Sequence, residues 1–111
     1  MSNGIDITLY EHEDLTGNTK HIQKPQGHRT WQKDLHQQGW GDKVSSIVVR
    51  SGWIALFEHQ NFNGSIIKLK PGSEIYRLGA NGWDNVVSSY IACDTNFDPV
   101  EMAGWVRRQR V

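Results

Sequence analysis

The 111-residue chain is 37% hydrophobic and 22% charged, the proportions of an ordinary soluble globular chain, and its length suits one domain or two small modules sharing a core. A formal net charge of zero provides no global field to gather nucleic acid or membrane lipid. A single cysteine, Cys93, excludes an intramolecular disulfide and a thiolate metal cluster.

Met1 is followed by polar residues, with no apolar run of signal-peptide or transmembrane type, so no membrane insertion is expected and the compartment stays open. Ile5-Asp6-Ile7-Thr8-Leu9-Tyr10 alternates and predicts a strand with Ile5, Ile7 and Leu9 on one face. Residues 23–38 hold Pro25, Gly27, His28, Trp31 and His36 and read as a loop with a short helical turn. Ile47-Val48-Val49 is a β-branched, strand-like run, and Ser51-Gly52 is a short connection. Ile66-Ile67-Lys68-Leu69-Lys70 predicts a strand stopped by the turn signal Pro71-Gly72. Val86-Val87 repeats the β-branched pattern, and Ile91-Ala92-Cys93 reads as a strand end with Cys93 as a small buried hydrophobe. Helical periodicity is confined to a turn around residues 99–103. The stretch from Asp94 onward carries Phe97, Val100, Met102, Trp105 and Val106, too apolar for a disordered tail. It is expected to dock on the domain or to mediate self-association as a homodimer. Arg107-Arg108-Gln109-Arg110 reads as a solvated basic end, with anion binding as the alternative.

The chain is an internal duplication. Residues 7–17, from Ile7 through Tyr10 and His12 to Gly17, read against residues 54–64, from Ile54 through Phe57 and His59 to Gly64. Gly41-Asp42-Lys43-Val44-Ser45-Ser46, preceded by Gly39-Trp40, reads against Asp84-Asn85-Val86-Val87-Ser88-Ser89, preceded by Gly82-Trp83. The first pair is offset by 47 residues and the second by 43, so the first half carries extra residues within 23–38. An aromatic residue, six residues and then glycine recur in each half. A hairpin folded back on its own sheet needs a positive φ at the bend, which glycine adopts without strain. Ser46 and Ser89 arrive later and are placed to hydrogen-bond that strained backbone. Two all-β repeats of this size predict paired four-stranded Greek keys in a wedge of sandwiches.

With these motifs in place, residues 5–94 resemble a βγ-crystallin domain of the short two-motif kind found in microbial and invertebrate proteins. Motif one would span about residues 5–50 and motif two about 53–94, with 95–111 as a C-terminal extension. The match rests on Asp84-Asn85-Val86-Val87-Ser88-Ser89, which fits the family's calcium signature of two Asp/Asn, two variable residues, Ser/Thr and Ser. The first copy fits except for Gly41, where Asp or Asn is expected.

The resemblance implies calcium binding, with the hydroxyls of Ser45 and Ser88 as ligands. It also implies backbone carbonyls of Lys43 and Val86 and of Glu11 and Glu58. The Asp/Asn side chains, from Asp42, Asp84 and Asn85, are expected to cross so that each site draws on both halves. Ca²⁺ takes six to eight oxygens in flexible geometry, so such a donor set suits it, with modest affinity because few formal charges surround the ion. Gly41 removes one donor and predicts two unequal sites. Lys43 gives only its carbonyl, and its ammonium weakens attraction for a cation.

Competing readings are weaker. His12 and His59 occupy equivalent places, which reflects duplication rather than zinc spacing. No nucleophile elbow, phosphate loop or recognisable acid pair is present, so the chain reads as a non-enzyme. Five tryptophans, Trp31, Trp40, Trp53, Trp83 and Trp105, supply core area or, alternatively, an exposed platform for carbohydrate or a protein partner. The remaining alternative is a purely structural domain whose calcium loops are inactive.

Overall fold

The computed structural model describes residues 4–83 and 86–109. Strands β1 (Ile5–His12), β2 (Thr16–Lys24), β3 (Arg29–Gln32) and β4 (Ser46–Ser51) come from the first half. Strands β5 (Trp53–His59), β6 (Asn63–Leu69), β7 (Glu74–Ile75) and β8 (Ser89–Cys93) come from the second. They form two four-stranded sheets, ordered β2-β1-β4-β7 and β3-β8-β5-β6. All pairings are antiparallel. The third strand of each half therefore pairs in the other half's sheet: β3 lies on β8, and β7 lies on β4. Neither repeat closes a sheet by itself.

Alternation in β1 places Ile5, Ile7 and Leu9 between the sheets. They pack there with Ile47 and Val49 of β4, Ile54 and Leu56 of β5, and Tyr90 and Ala92 of β8. Strands β5 and β8 differ from β1 because both of their faces are apolar. Ala55, Phe57, Ile91 and Cys93 point away from the main core and build a second cluster with Phe97, Ala103 and Val106. The last two belong to helix α1 (Pro99–Arg107), which covers that face. Asp98 caps the helix by accepting hydrogen bonds from the Val100 and Glu101 amides, and Pro99 fixes its first turn. Trp105 meets Trp31 edge-on at 5.7 Å, and the Arg29 guanidinium lies 4.8 Å over the Trp105 ring. Among the described residues every tryptophan is half-buried.

The structure departs from the sequence reading in three places. Residues 23–38 are not one loop: they contain the end of β2 and all of β3, and the short helical turn expected there is the 3-10 helix Leu35–Gln38. The Pro and Gly residues there mark only the turn between β2 and β3. Val86 and Val87 precede β8 instead of forming a strand, because Val87 turns fully inward and its carbonyl accepts the Asp42 amide at 3.1 Å. The single turn expected at 99–103 extends to a nine-residue helix, since packing on β5 and β8 supplies stability that its weak periodicity does not.

Candidate functional site

Each half begins its site with a folded hairpin. Between β1 and β2, Asp14 and Leu15 have φ of 60° and 59°; between β5 and β6, Asn61 and Phe62 have 57° and 61°. Non-glycine residues in this region are strained and need support. In the first half Ser46 Oγ accepts the Leu15 amide at 3.0 Å and donates to the His12 carbonyl at 2.6 Å. Ser89 repeats this with the Phe62 amide at 3.1 Å and the His59 carbonyl at 2.7 Å. The equivalent histidines also have a structural explanation. A Cβ on Gly17 would fall 2.5 Å from the His12 ring, and one on Gly64 would fall 2.6 Å from the His59 ring. Each histidine lies against the glycine of its own hairpin.

The signature loops then cross between halves. The Ser88 amide donates to the Phe57 carbonyl at 3.0 Å, and the Ser88 carbonyl accepts the Leu35 amide at 2.8 Å. The pseudo-symmetric pair is the Ser45 amide on the Tyr10 carbonyl at 2.9 Å and the Leu78 amide on the Ser45 carbonyl at 2.9 Å. These bonds pin each fifth-position serine beside the other half's 3-10 turn.

One site is fully described. A cleft of about 520 Å³ is lined by His36, Asp42, Glu58, His59, Asn61 and Ser88, with Gln60 and Val86 completing it. The buried Ser88 hydroxyl donates to Asp42 Oδ1 at 3.4 Å. Asp42 sits there because its backbone is left-handed, with φ of 57°. Asp34 lies behind the cleft, where its Oδ1 accepts the His36 amide at 3.0 Å and the Gln60 side chain at 3.0 Å. The sequence signals Ser88, Val86, Glu58 and Asp42 thus meet in one place, two from the second signature, one from the second hairpin and one from the first signature.

The other candidate set is Glu11, Lys43, Ser45 and Asn85. Ser45 is held next to Tyr10, the residue before Glu11, while the Glu11 carboxylate accepts the Asn18 amide group at 2.8 Å. Asp84 and Asn85 lie outside the described residues. Arg77, the counterpart of Asp34, pairs with Asp14 at 3.5 Å. At this end Arg77 and Lys43 stand with Asp14 and Glu11, whereas the charged side chains lining the Ser88 cleft are the acids Asp42 and Glu58 beside two histidines.

The Ser88 hydroxyl and the Asp42 carboxylate at the cleft are hard oxygen donors of the kind a hard divalent cation takes. Among the described residues no three His, Cys, Asp or Glu side chains converge as a metal cluster, so a closed structural zinc cage is not built here. Sequence reasoning missed His36. Its Nε2 lies 3.3 Å from Ser88 Oγ and 3.9 Å from Asp42 Oδ2. Its only sequence signal was its place six residues before Asp42, in the segment read as a loop.

The Beta/Gamma crystallin family model matches residues 6–90. The chain belongs to the βγ-crystallin family. A βγ-crystallin of Ciona intestinalis is 39% identical over 56 residues, half of this chain and 67% of that protein. The solved structure of a βγ-crystallin from Ciona intestinalis is 32% identical with a TM-score of 0.64, covering 77% of this chain and 95% of that one. An archaeal βγ-crystallin is 29% identical with a TM-score of 0.63, covering 79% and 96%. A solved βγ-crystallin domain fold, described in relation to the evolution of the eye lens, shares 24% identity with a TM-score of 0.71 over 82% and 87%, a likeness of fold alone. Helix α1 begins beyond the residues that the βγ-crystallin family model matches.

Proposed function

We propose that this βγ-crystallin domain is a calcium-binding, non-catalytic module whose fold is stabilised by Ca²⁺. The observation that carries the reading is the convergence of Ser88, Val86, Glu58 and Asp42 on one cleft from both halves of the chain. Ser88 would supply a hydroxyl, Asp42 a carboxylate, and Glu58 and Val86 backbone carbonyls, with water completing the shell. The Glu58 carboxylate is held by the Ser65 amide at 3.1 Å, which leaves the loop ordered around it. When bound, Ca²⁺ supplies positive charge that joins loops distant in sequence.

Because the set is assembled only in the folded chain, binding acts on the native state alone. Occupancy at a hundredfold excess over Kd would add about 2.7 kcal/mol of stability. The second set, Glu11, Lys43 and Ser45 with Asn85, would form a weaker site because Lys43 and Arg77 offset the negative charge of Glu11 and Asp14 there. The test is calorimetric titration of chelator-treated protein with Ca²⁺, for the wild type, Ser88→Arg and Ser45→Arg. Ser88→Arg is expected to remove the stronger event and Ser45→Arg the weaker. No heat at millimolar Ca²⁺ would sink the proposal and leave a structural domain with inactive loops.

A further inference from the structure

The two halves differ by a reciprocal exchange at the ion cleft. The first half has His36 and Gly41; at the same 43-residue offset the second has Gly79 and Asp84. In the first half the pair is also in contact in space. A Cβ built on Gly41 would overlap His36 Nδ1, Cγ and Cε1. The ring occupies the volume that a side chain at position 41 would need, so the loss of one oxygen donor is accompanied by the arrival of an imidazole nitrogen. That nitrogen faces the cleft. Nε2 is 3.3 Å from Ser88 Oγ and 3.9 Å from Asp42 Oδ2, and Ser88 Oγ is 3.4 Å from Asp42 Oδ1.

Two ligands of one zinc ion, at bonds near 2.1 Å and angles between 90° and 110°, stand about 3.0–3.4 Å apart. For calcium, at bonds near 2.4 Å, the spacing is about 3.4–3.9 Å. The triangle of His36, Ser88 and Asp42 is close to both, and the half-exposed His36 and Asp42 side chains have freedom to close the remaining few tenths of an ångström. Distance does not discriminate between the ions; ligand chemistry does. Ca²⁺ selects oxygen, whereas neutral imidazole suits zinc, copper and nickel.

We propose that His36 sets the ion specificity of this cleft, so that it also takes a borderline divalent cation of the Zn²⁺ type, in competition with Ca²⁺. The inference rests on the reading of the cleft as an ion site. The site is open rather than a four-side-chain cage: His36, Asp42 and Ser88 stand within 3.9 Å of one another, while His59 pairs with Glu58 at 3.7 Å elsewhere on the cleft wall. In the sequence the second half has Gly79 where the first has His36, so it carries no counterpart imidazole.

The experiment is Zn²⁺ titration of chelator-treated full-length protein, alone and in the presence of Ca²⁺. The proteins compared are the wild type, His36→Gln, Ser88→Arg and the double variant His36→Gly with Gly41→Asp, which rebuilds the pair of the second half. His36→Gln is expected to weaken Zn²⁺ about tenfold or more while changing Ca²⁺ less than about threefold. The double variant is expected to lose competition by Zn²⁺ and to bind Ca²⁺ more tightly. In the wild type, Zn²⁺ should shift the His36 ring nitrogens in long-range ¹H–¹⁵N spectra, a readout that does not depend on any variant folding. Equal Zn²⁺ affinity in wild type and His36→Gln, or an unmoved His36 ring, would overturn the inference while leaving calcium binding intact. Zn²⁺ binding lost in both His36→Gln and Ser88→Arg, with no Ca²⁺ heat in any protein, would support Zn²⁺ ligation by His36 and refute both calcium binding and the competition. Binding of neither ion by the wild type would refute both.

Discussion

Ser89→Ala tests the hairpin support most directly. Ser89 is fully buried, and its hydroxyl bridges the Phe62 amide at 3.1 Å and the His59 carbonyl at 2.7 Å. Alanine leaves the Phe62 amide without its acceptor in a buried place, at about 1–3 kcal/mol, and loses a bond to the carbonyl, at about 0.5–1.5 kcal/mol. Phe62 also holds φ of 61°, a conformation that these bonds help to maintain. The expected loss is about 2–4 kcal/mol, a large share of the roughly 5–15 kcal/mol that a domain has. Ser46→Ala breaks the same bridge at Leu15, but there the amide is only partly buried, so its loss should be smaller, about 1–2 kcal/mol. Urea unfolding in chelator, followed by tryptophan fluorescence, measures both, with an expected midpoint shift of about 1–2 M for Ser89→Ala. A shift below about 0.3 M for Ser89→Ala, or a larger effect from Ser46→Ala, would refute the reasoning.

Four further outcomes are expected. Burial pushes the Tyr90 hydroxyl up to about 12 and the Cys93 thiol up to about 11, from ordinary values of 10.0 and 9.0. The unfolded chain therefore ionises first: the stability these groups contribute is complete below pH 9 and is lost as pH rises from about 9 to 12, while a flat profile there would contradict the assignment. For the same reason Cys93 should resist alkylation at pH 8 in the native state and react on unfolding. Arg107→Ala removes a guanidinium that donates to the carbonyls of Asn61 at 3.1 Å and Phe62 at 2.6 Å and to Asn63 Oδ1 at 3.2 Å, and should cost about 1–2 kcal/mol with faster hydrogen exchange at residues 61–63. Truncation after Asp94 uncovers Phe57, Phe62, Ile91 and Cys93 and should lower the thermal midpoint or drive association; unchanged values of both would contradict the packing of α1.

Much of the frame was legible because it depends on local chemistry. Alternation in β1 named the residues between the sheets, and Pro71-Gly72 marked the end of β6 within a residue or two. Ser46 and Ser89 were recognisable as hairpin supports, since a strained bend two strands away requires a donor and an acceptor together. The strand β3 was hidden by flanking Pro25 and Gly27, and it exists because β8 offers Trp31 a partner in Ile91. Helix α1 was compressed to a turn because it is short, buries only Ala103 and Val106, and draws its stability from the face it covers.

The sequence by itself determined the duplication, the bends at Gly17 and Gly64, the serines that hold them and the oxygen-bearing residue types of both loops. These follow from backbone preference and from residue chemistry repeated at a fixed offset. Only the tertiary structure decided which loop meets which. The exchange of β3 and β7 between sheets brings Asp42 to Ser88 across 46 residues of chain. It also places the His36 ring in the space that Gly41 leaves. Pairing across sheets is set by the complementary burial of whole strands, and no local pattern in either half carries that information.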